Sequence, residues 1–229
     1  MSSDTVYLAL LLDAPLMSFG HASRFQRRTT LLHPTRSAIV GMVCAAAGAT
    51  KGSAAEAEWL ARLDPSQVRL TVFAIPRQPQ GSREPLPILR LEDFHTVQGT
   101  RRASGKLSDD AVISHRQYLM DARFGAILSG PRSTLEAAAA VLRDPRWGIW
   151  FGRKSCLPAA PVVRALVDTE VEALAAVAPA GRPLAAFDSV SDAANFAEGT
   201  DTLMDVPISF QRREFAPRRI AATPRQGGG

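Results

Sequence analysis

RSTLEAAAAVLR, residues 132–143, is a helix by composition, rich in alanine and leucine, with Ser133 placed to cap it and Asp144-Pro145 to end it. What precedes it sets its meaning. SHRQYLMDARFGAIL (114–128) reads as a strand, and ILRLEDFHTV (88–97) as another; the polar, glycine-containing excursion QGTRRASGKLSDD (98–110) between them has the character of a long hairpin tip. Further back, VYLALLL (6–12) is a short continuous apolar run closed by Asp13 and Pro15, the pattern of a buried strand. A helix follows it, capped by Thr35, with Ile39, Val40, Val43, Cys44 and Ala47 at helical spacing and Gly48 as its stop. A second helix at about 54–63 leads to the strand VRLTVFAI (68–75), and the four prolines and one glycine of 76–87 make a loop.

The order is therefore strand, helix, strand, hairpin, helix. With a short strand near WGIWF (147–151) it approximates the split β-α-β pattern of a ferredoxin-like sheet carrying helices on one face, an α+β fold. Residues 1–160 are expected to form this domain, with the hairpin at about 95–115. Residues 161–220 are expected to form a small, mainly β subdomain, with strands at 162–168 and LMDVPISF (203–210), and 221–229 a disordered tail.

Of 229 residues, 46% are hydrophobic, enough for a substantial core; the formal charge is +5 and the pI about 9.9. The distribution of charge is more informative than its total. Residues 14–55 hold Arg24, Arg27, Arg28, Arg36 and Lys51 with no acid, and residues 145–167 hold Arg146, Arg153, Lys154 and Arg164, again with none. Only three of the 27 basic residues are lysine, which suits bidentate phosphate recognition and also suits an arginine-biased genome. Cys44 and Cys156 offer neither a disulfide framework nor metal-ligand spacing, so a reduced cytoplasm is expected. No apolar run reaches membrane-span length. His21, His33, His95 and His115 have no zinc-site spacing, and there is no phosphate loop of Walker or Rossmann type and no nucleophile elbow, so no cofactor or metal is expected.

Arg36 poses a specific question. It sits in the first turn of its helix, where the macrodipole is already positive, at a cost of about 0.3–1 kcal/mol unless an anion lies between them. A phosphate would draw on the N–H groups of Arg36, Ser37 and Ala38, the Thr35 and Ser37 hydroxyls and arginines of the preceding loop, while the small residues Ala38, Gly41 and Ala45 would let a backbone approach. The alternative is that Arg36 points into water and the small residues pack on the sheet. FGRKSC (151–156) places Arg153, Lys154 and Ser155 after a glycine, as a basic turn or a solvated loop. Arg101, Arg102 and Lys106 make the hairpin tip either a mobile loop or an arm ordered by a partner, and Phe19, Phe25 and Phe94 are either core or base-stacking residues.

Five stretches in order, DAPLMSFG (13–20), HPTRSAIVGMVCAAAG (33–48), EDFHTVQGT (92–100), RQYLMDARFGAIL (116–128) and FGRKSCLPAAP (151–161), resemble the CasD (Cas-five) family of the type I-E CRISPR complex Cascade; FQRREFAPRRI (210–220) resembles its closing segment. The resemblance implies a modified ferredoxin-like, RNA-recognition-like fold with a β-hairpin thumb and a small C-terminal β subdomain. It implies a non-catalytic, cytoplasmic subunit that caps the 5′ handle of the CRISPR RNA and contacts both the backbone subunit and the large PAM-sensing subunit. The thumb would reach target DNA near the start of the guide duplex. Carried onto this chain, RNA-binding roles are implied for Thr35, Arg36 and Ser37, for Arg101 and Arg102, and for Arg153, Lys154 and Ser155; charge extends the set to Arg24, Arg27, Arg28 and Lys106. The rival reading is a metal-independent endoribonuclease in which His115, with Tyr118 or Lys154, acts on a 2′-hydroxyl.

Overall fold

The computed structural model describes residues 4–20, 26–81, 85–101, 104–107, 110–179 and 182–225. In chain order these form β1 (Thr5–Asp13), β2 (Leu16–Met17), β3 (Arg27–Arg28), α1 (Arg36–Ala46), α2 (Ala54–Arg62), β4 (Arg69–Ala74), β5 (Leu89–Val97) and β6 (Val112–Met120). There follow β7 (Arg123–Pro131), α3 (Arg132–Arg143), β8 (Val163–Val167), α4 (Glu170–Val177), β9 (Ser189–Asp192), β10 (Asp201–Ser209) and β11 (Glu214–Thr223).

The fold is α+β. A seven-stranded sheet runs β10-β11-β9-β4-β7-β1-β8 with every neighbouring pair antiparallel. A smaller sheet runs β2-β6-β3, with β5 also paired to β6. The unbroken apolar run of β1 follows from its central place. Leu8, Leu10 and Leu12 pack with Ile39 and Val43 of α1 and Leu135 and Ala138 of α3, while Ala9 and Leu11 point to the other face against Ala173 and Val177 of α4.

Four details differ from the expectations. The strand expected at 114–128 is two strands in two sheets, broken at Asp121, whose φ of 47° turns the chain. WGIWF forms no strand; the place beside β1 is taken by β8, and 147–151 is irregular chain ending on the buried Phe151. The segment beyond Pro161 makes no sheet of its own, because β8 adds to one edge of the large sheet and β9 to β11 extend the other. Finally, Pro131 rather than Ser133 stands at the cap of α3, with no side-chain capping bond. At the end of the chain, β11 continues to Thr223, and residues 226–229 of the expected tail lie outside the described residues.

Candidate nucleic-acid interface

Arg36 does have an anion at its helix start, and the protein supplies it. The Arg36 amide donates to Asp205 Oδ2 at 2.8 Å, so a β10 carboxylate occupies the positive end of α1. The guanidinium points inward: Nη1 donates to the Leu63 carbonyl at 2.7 Å, and Nη2 to the Val68 carbonyl at 2.8 Å and to Asp192. Arg218 completes a buried tetrad, donating through Nε and Nη2 to Asp205 at 2.7 and 3.0 Å and through Nη1 to Asp192. Two guanidiniums and two carboxylates cancel in charge, which is the condition for burying any of them. Burial pushes the Arg36 guanidinium below its ordinary pKa, opposed by Asp192.

The expectation that Arg36 touches RNA is therefore corrected: it is 1% exposed and held inside the core. Two of the backbone groups expected on a phosphate are also occupied, Arg36 N by Asp205 and Ala38 N by Thr35 Oγ1. Nor is the bare face of α1 open. A Cβ on Gly41 would lie 3.3 Å from Phe210 Cζ, so the turn joining β10 and β11 covers that face.

What remains of the basic cluster meets elsewhere. A groove of about 310 Å³ is lined by Arg28, Thr35, Ser37 and Arg153 together with Phe210 and Phe215. Thr35 caps α1 and is buried, its Oγ1 3.1 Å from the half-buried Ser37 Oγ. Arg27 and Arg28 form β3, exposed and paired with His115 and Arg116 of β6. Their chain is fixed behind by Thr30, whose Oγ1 accepts from Phe19 N at 2.8 Å, and by Leu31 N donating to Phe19 O at 2.9 Å.

The turn at 151–156 is held against the same segment. Ser18 N donates to Phe151 O at 3.1 Å, and Phe151 N to Cys156 O at 2.8 Å. Gly152 has φ 91°, and a Cβ there would fall 1.7 Å from Ser18 O, so no other residue lets the turn sit this close. The result presents Arg153, whose guanidinium lies 4.4 Å from the Tyr118 ring centre and whose Nη2 donates to the Arg28 carbonyl at 3.0 Å. Its Nη1 is enclosed and has no acceptor among the described residues. Lys154 and Ser155 are exposed beside it, with Lys154 Nζ 5.8 Å from the Trp150 ring.

The hairpin β5–β6 carries the rest. Arg101 and Lys106 are exposed at its tip, where Arg101 Nη1 donates to Gly105 O at 3.1 Å. Arg24, Phe25 and Arg102 lie outside the described residues. Phe19 is core, edge-on to Phe124, whereas Phe94 is 58% exposed against the His115 ring. The His115–Tyr118 acid–base pair considered for RNA cleavage is not assembled. His115 and Tyr118 stand three residues apart on β6 and so point to opposite faces, His115 toward Phe94 and Glu92, Tyr118 beneath Arg153; Lys154 lies against Trp150. Among the described residues no three His, Cys, Asp or Glu side chains cluster as metal ligands, and no helix is long and apolar enough to cross a membrane.

Sequence reasoning missed Tyr118 as the platform under Arg153, and Phe210 and Phe215 as a wall of the groove. The signal was faint: FQRREF brackets a charged turn with two aromatics, a pattern shared by many hairpin turns.

Comparison with known proteins adds identity to this geometry. Residues 7–221 match the family described as CRISPR-associated protein (Cas_Cas5). The chain is 27% identical over 217 residues to the Escherichia coli (strain K12) CRISPR system Cascade subunit CasD, covering 91% of this chain and 94% of that one. It is similar to a chain of a solved CRISPR RNA-guided surveillance complex (28% identity, TM-score 0.75, covering 96% of this chain and 90% of that one). It is similar also to a Cas protein known from a crystal structure (26% identity, TM-score 0.64, covering 96% and 95%). With the match spanning nearly its whole length, the chain belongs to the Cas5 family of CRISPR-associated proteins.

Proposed function

We propose that this protein is a non-catalytic, RNA-binding subunit of a Cascade-type CRISPR RNA-guided surveillance complex, acting in antiviral defence in the cytoplasm. It holds the 5′ handle of the guide RNA in the groove between β3, the start of α1 and the 151–156 turn, and it joins the backbone of the complex to the large PAM-sensing subunit. The observation that carries the reading is the convergence on one open groove of Arg28, Ser37 and Arg153, from three separate segments, in a chain of the Cas5 family. The likeness to CasD and to a chain of a surveillance complex supports the setting. The succession β1-α1-β4-β7-α3-β8, with strand order β4-β7-β1-β8, supports reading the core as ferredoxin-like and β5–β6 as its thumb. In this reading Arg101, Arg102 and Lys106 approach target DNA at the start of the guide duplex, and Arg24, Arg27, Arg28, Lys154 and Ser155 complete the handle contacts.

Such a subunit works by position. Guanidiniums and hydroxyls fix the phosphates, unstacked bases are turned out, and the guide is displayed in one register. The test is RNA affinity across a salt series for Arg153→Ala. One lost phosphate contact lowers affinity about 10-fold and flattens the log–log salt slope by about 0.7. Unchanged affinity and slope would refute the assignment of this groove.

A further inference from the structure

We infer that the Asp13 carboxylate, gripped by Arg77 and Arg123, is a clamp that sets the angle between the two sheets and so aims the β5–β6 hairpin; the clamp does not depend on the reading of the groove. The chain passes between the smaller sheet and the rest of the molecule four times: β1 to β2, β3 to α1, β4 to β5, and β6 to β7. Three of these crossings meet at Asp13. The residue itself ends β1. Arg77, in the β4–β5 connection, donates through Nη2 to its Oδ1 at 2.5 Å, and Arg123, the first residue of β7, donates through Nε to its Oδ2 at 3.0 Å. Each carboxylate oxygen thus holds a different crossing.

Arg77 reaches further. Its Nε donates at 2.5 Å to the carbonyl of Asp121, the residue whose positive φ sends the chain from β6 to β7, and its own carbonyl accepts from Leu86 N at 2.8 Å, where the chain approaches β5. One arginine therefore ties the entry of the hairpin to its exit. Asp121 N donates in turn to Pro15 O at 2.9 Å, which closes the ring onto the β1–β2 connection. Exposed ion pairs contribute little, but Asp13 is only 13% exposed and both its oxygens are engaged, so these charge-assisted bonds are strong and directional. Direction is what the joint needs. The apolar contacts of Met17, Tyr118 and Leu119 with the main core hold the sheets together without fixing their angle. Beside the joint, an apolar cleft of about 610 Å³ is lined by Leu86 and Ile88 on the approach to β5 and by Val72, Phe124 and Val190 of the large sheet. The approach is not packed tightly against that sheet and has room to swing. Leverage amplifies any slack: β5 has nine residues, about 30 Å, so a change of about 10° at its root moves its far end by about 5 Å. Asp13, Arg77 and Arg123 are thus positioning residues for the basic tip that carries Arg101 and Lys106.

The test measures distances by pulsed electron spin resonance in the full chain, between nitroxides at Val97→Cys on the hairpin and Val171→Cys on α4, both exposed. The native Cys44 and Cys156 are buried and stay unlabelled. A second pair, Arg143→Cys on α3 with Val171→Cys, reports on the body of the molecule. In Asp13→Asn, which keeps the shape and removes the charge, the hairpin distribution should shift or broaden by about 5 Å or more while the body pair stays as in the parent. Arg77→Gln, which leaves the Asp13–Arg123 pair in place, should reproduce this change, and Arg77→Lys should partly reverse it. An unchanged hairpin distribution in both Asp13→Asn and Arg77→Gln overturns the clamp, as does a body pair that broadens equally, which marks general loosening. The consequence for function rests on reading the hairpin as an arm toward target DNA. A hairpin correctly aimed for about a tenth to a third of the time lowers the target affinity of the assembled, guide-loaded complex about 3- to 10-fold. If the distribution changes and that affinity does not, the clamp stands and the reading of the hairpin falls.

Discussion

Replacing Arg36 by alanine separates a structural arginine from a nucleic-acid contact, two roles that the sequence leaves indistinguishable. The substitution strips hydrogen bonds from the Leu63 and Val68 carbonyls and from Asp192, all enclosed, and leaves two carboxylates facing the single guanidinium of Arg218. Removing one partner of a buried ion pair typically costs about 3–5 kcal/mol, because the remaining charge has no water to turn to. For a domain of this size each kcal/mol lowers Tm by about 2–4 °C, so Arg36→Ala should melt roughly 6–20 °C below the parent, with a lower urea midpoint. At a temperature where both are folded, the salt slope of RNA binding should be the same. A Tm within about 2 °C of the parent, or a flattened slope without destabilisation, would refute the assignment of Arg36 to the core.

Other outcomes follow from the same contacts. Gly152→Ala must displace the 151–156 turn from Ser18 and should cost about 2–4 kcal/mol, from left-handed backbone strain and one lost hydrogen bond; RNA affinity should fall at least as far as in Arg153→Ala, and a parental melting curve would contradict it. Tyr118→Leu removes the platform under Arg153 and should weaken RNA binding about 2- to 5-fold, less than loss of the arginine itself, in the same anisotropy titration. Burial, helped by Glu56, pushes the Cys44 thiol up to about 12, while the unfolded chain ionises near 9. Stability from this group is thus intact below pH 9 and is lost above it, by about 1.4 kcal/mol per pH unit up to 12. The urea midpoint of the parent should accordingly fall between pH 8 and pH 10 more than that of Cys44→Ala.

Much of the architecture was legible because it is written in local signals. The run at 6–12 is continuous because both faces of β1 are covered, and Thr35 caps its helix through its own side chain. The hairpin β5–β6 followed from two apolar segments flanking a polar tip. The break at Asp121 did not show, since apolar residues continue on either side of it and one residue at positive φ suffices to send β7 into another sheet. WGIWF has the aromatics of a strand, yet Gly148 and the bonds of Phe151 to Ser18 and Cys156 make it a connection. The basic cluster around the start of α1 was visible; its internal neutralisation was not. Asp205 and Asp192 lie 169 and 156 residues away from Arg36 in sequence, in a region with no periodicity linking them to it. A charge is exposed or buried according to its partners, and partners at that separation are set by the folded chain alone.

The central claim is that guide RNA crosses the groove at β3, Ser37 and the 151–156 turn, above a buried charge network that never meets it. Mapping ultraviolet crosslinks between the guide's 5′ segment and peptides of this chain tests that claim most directly. Labelled peptides should contain residues 26–38 and 151–156, with none assigned to Asp192, Asp205 or Arg218. Crosslinks that avoid both peptides, or that fall on the buried tetrad, would contradict it.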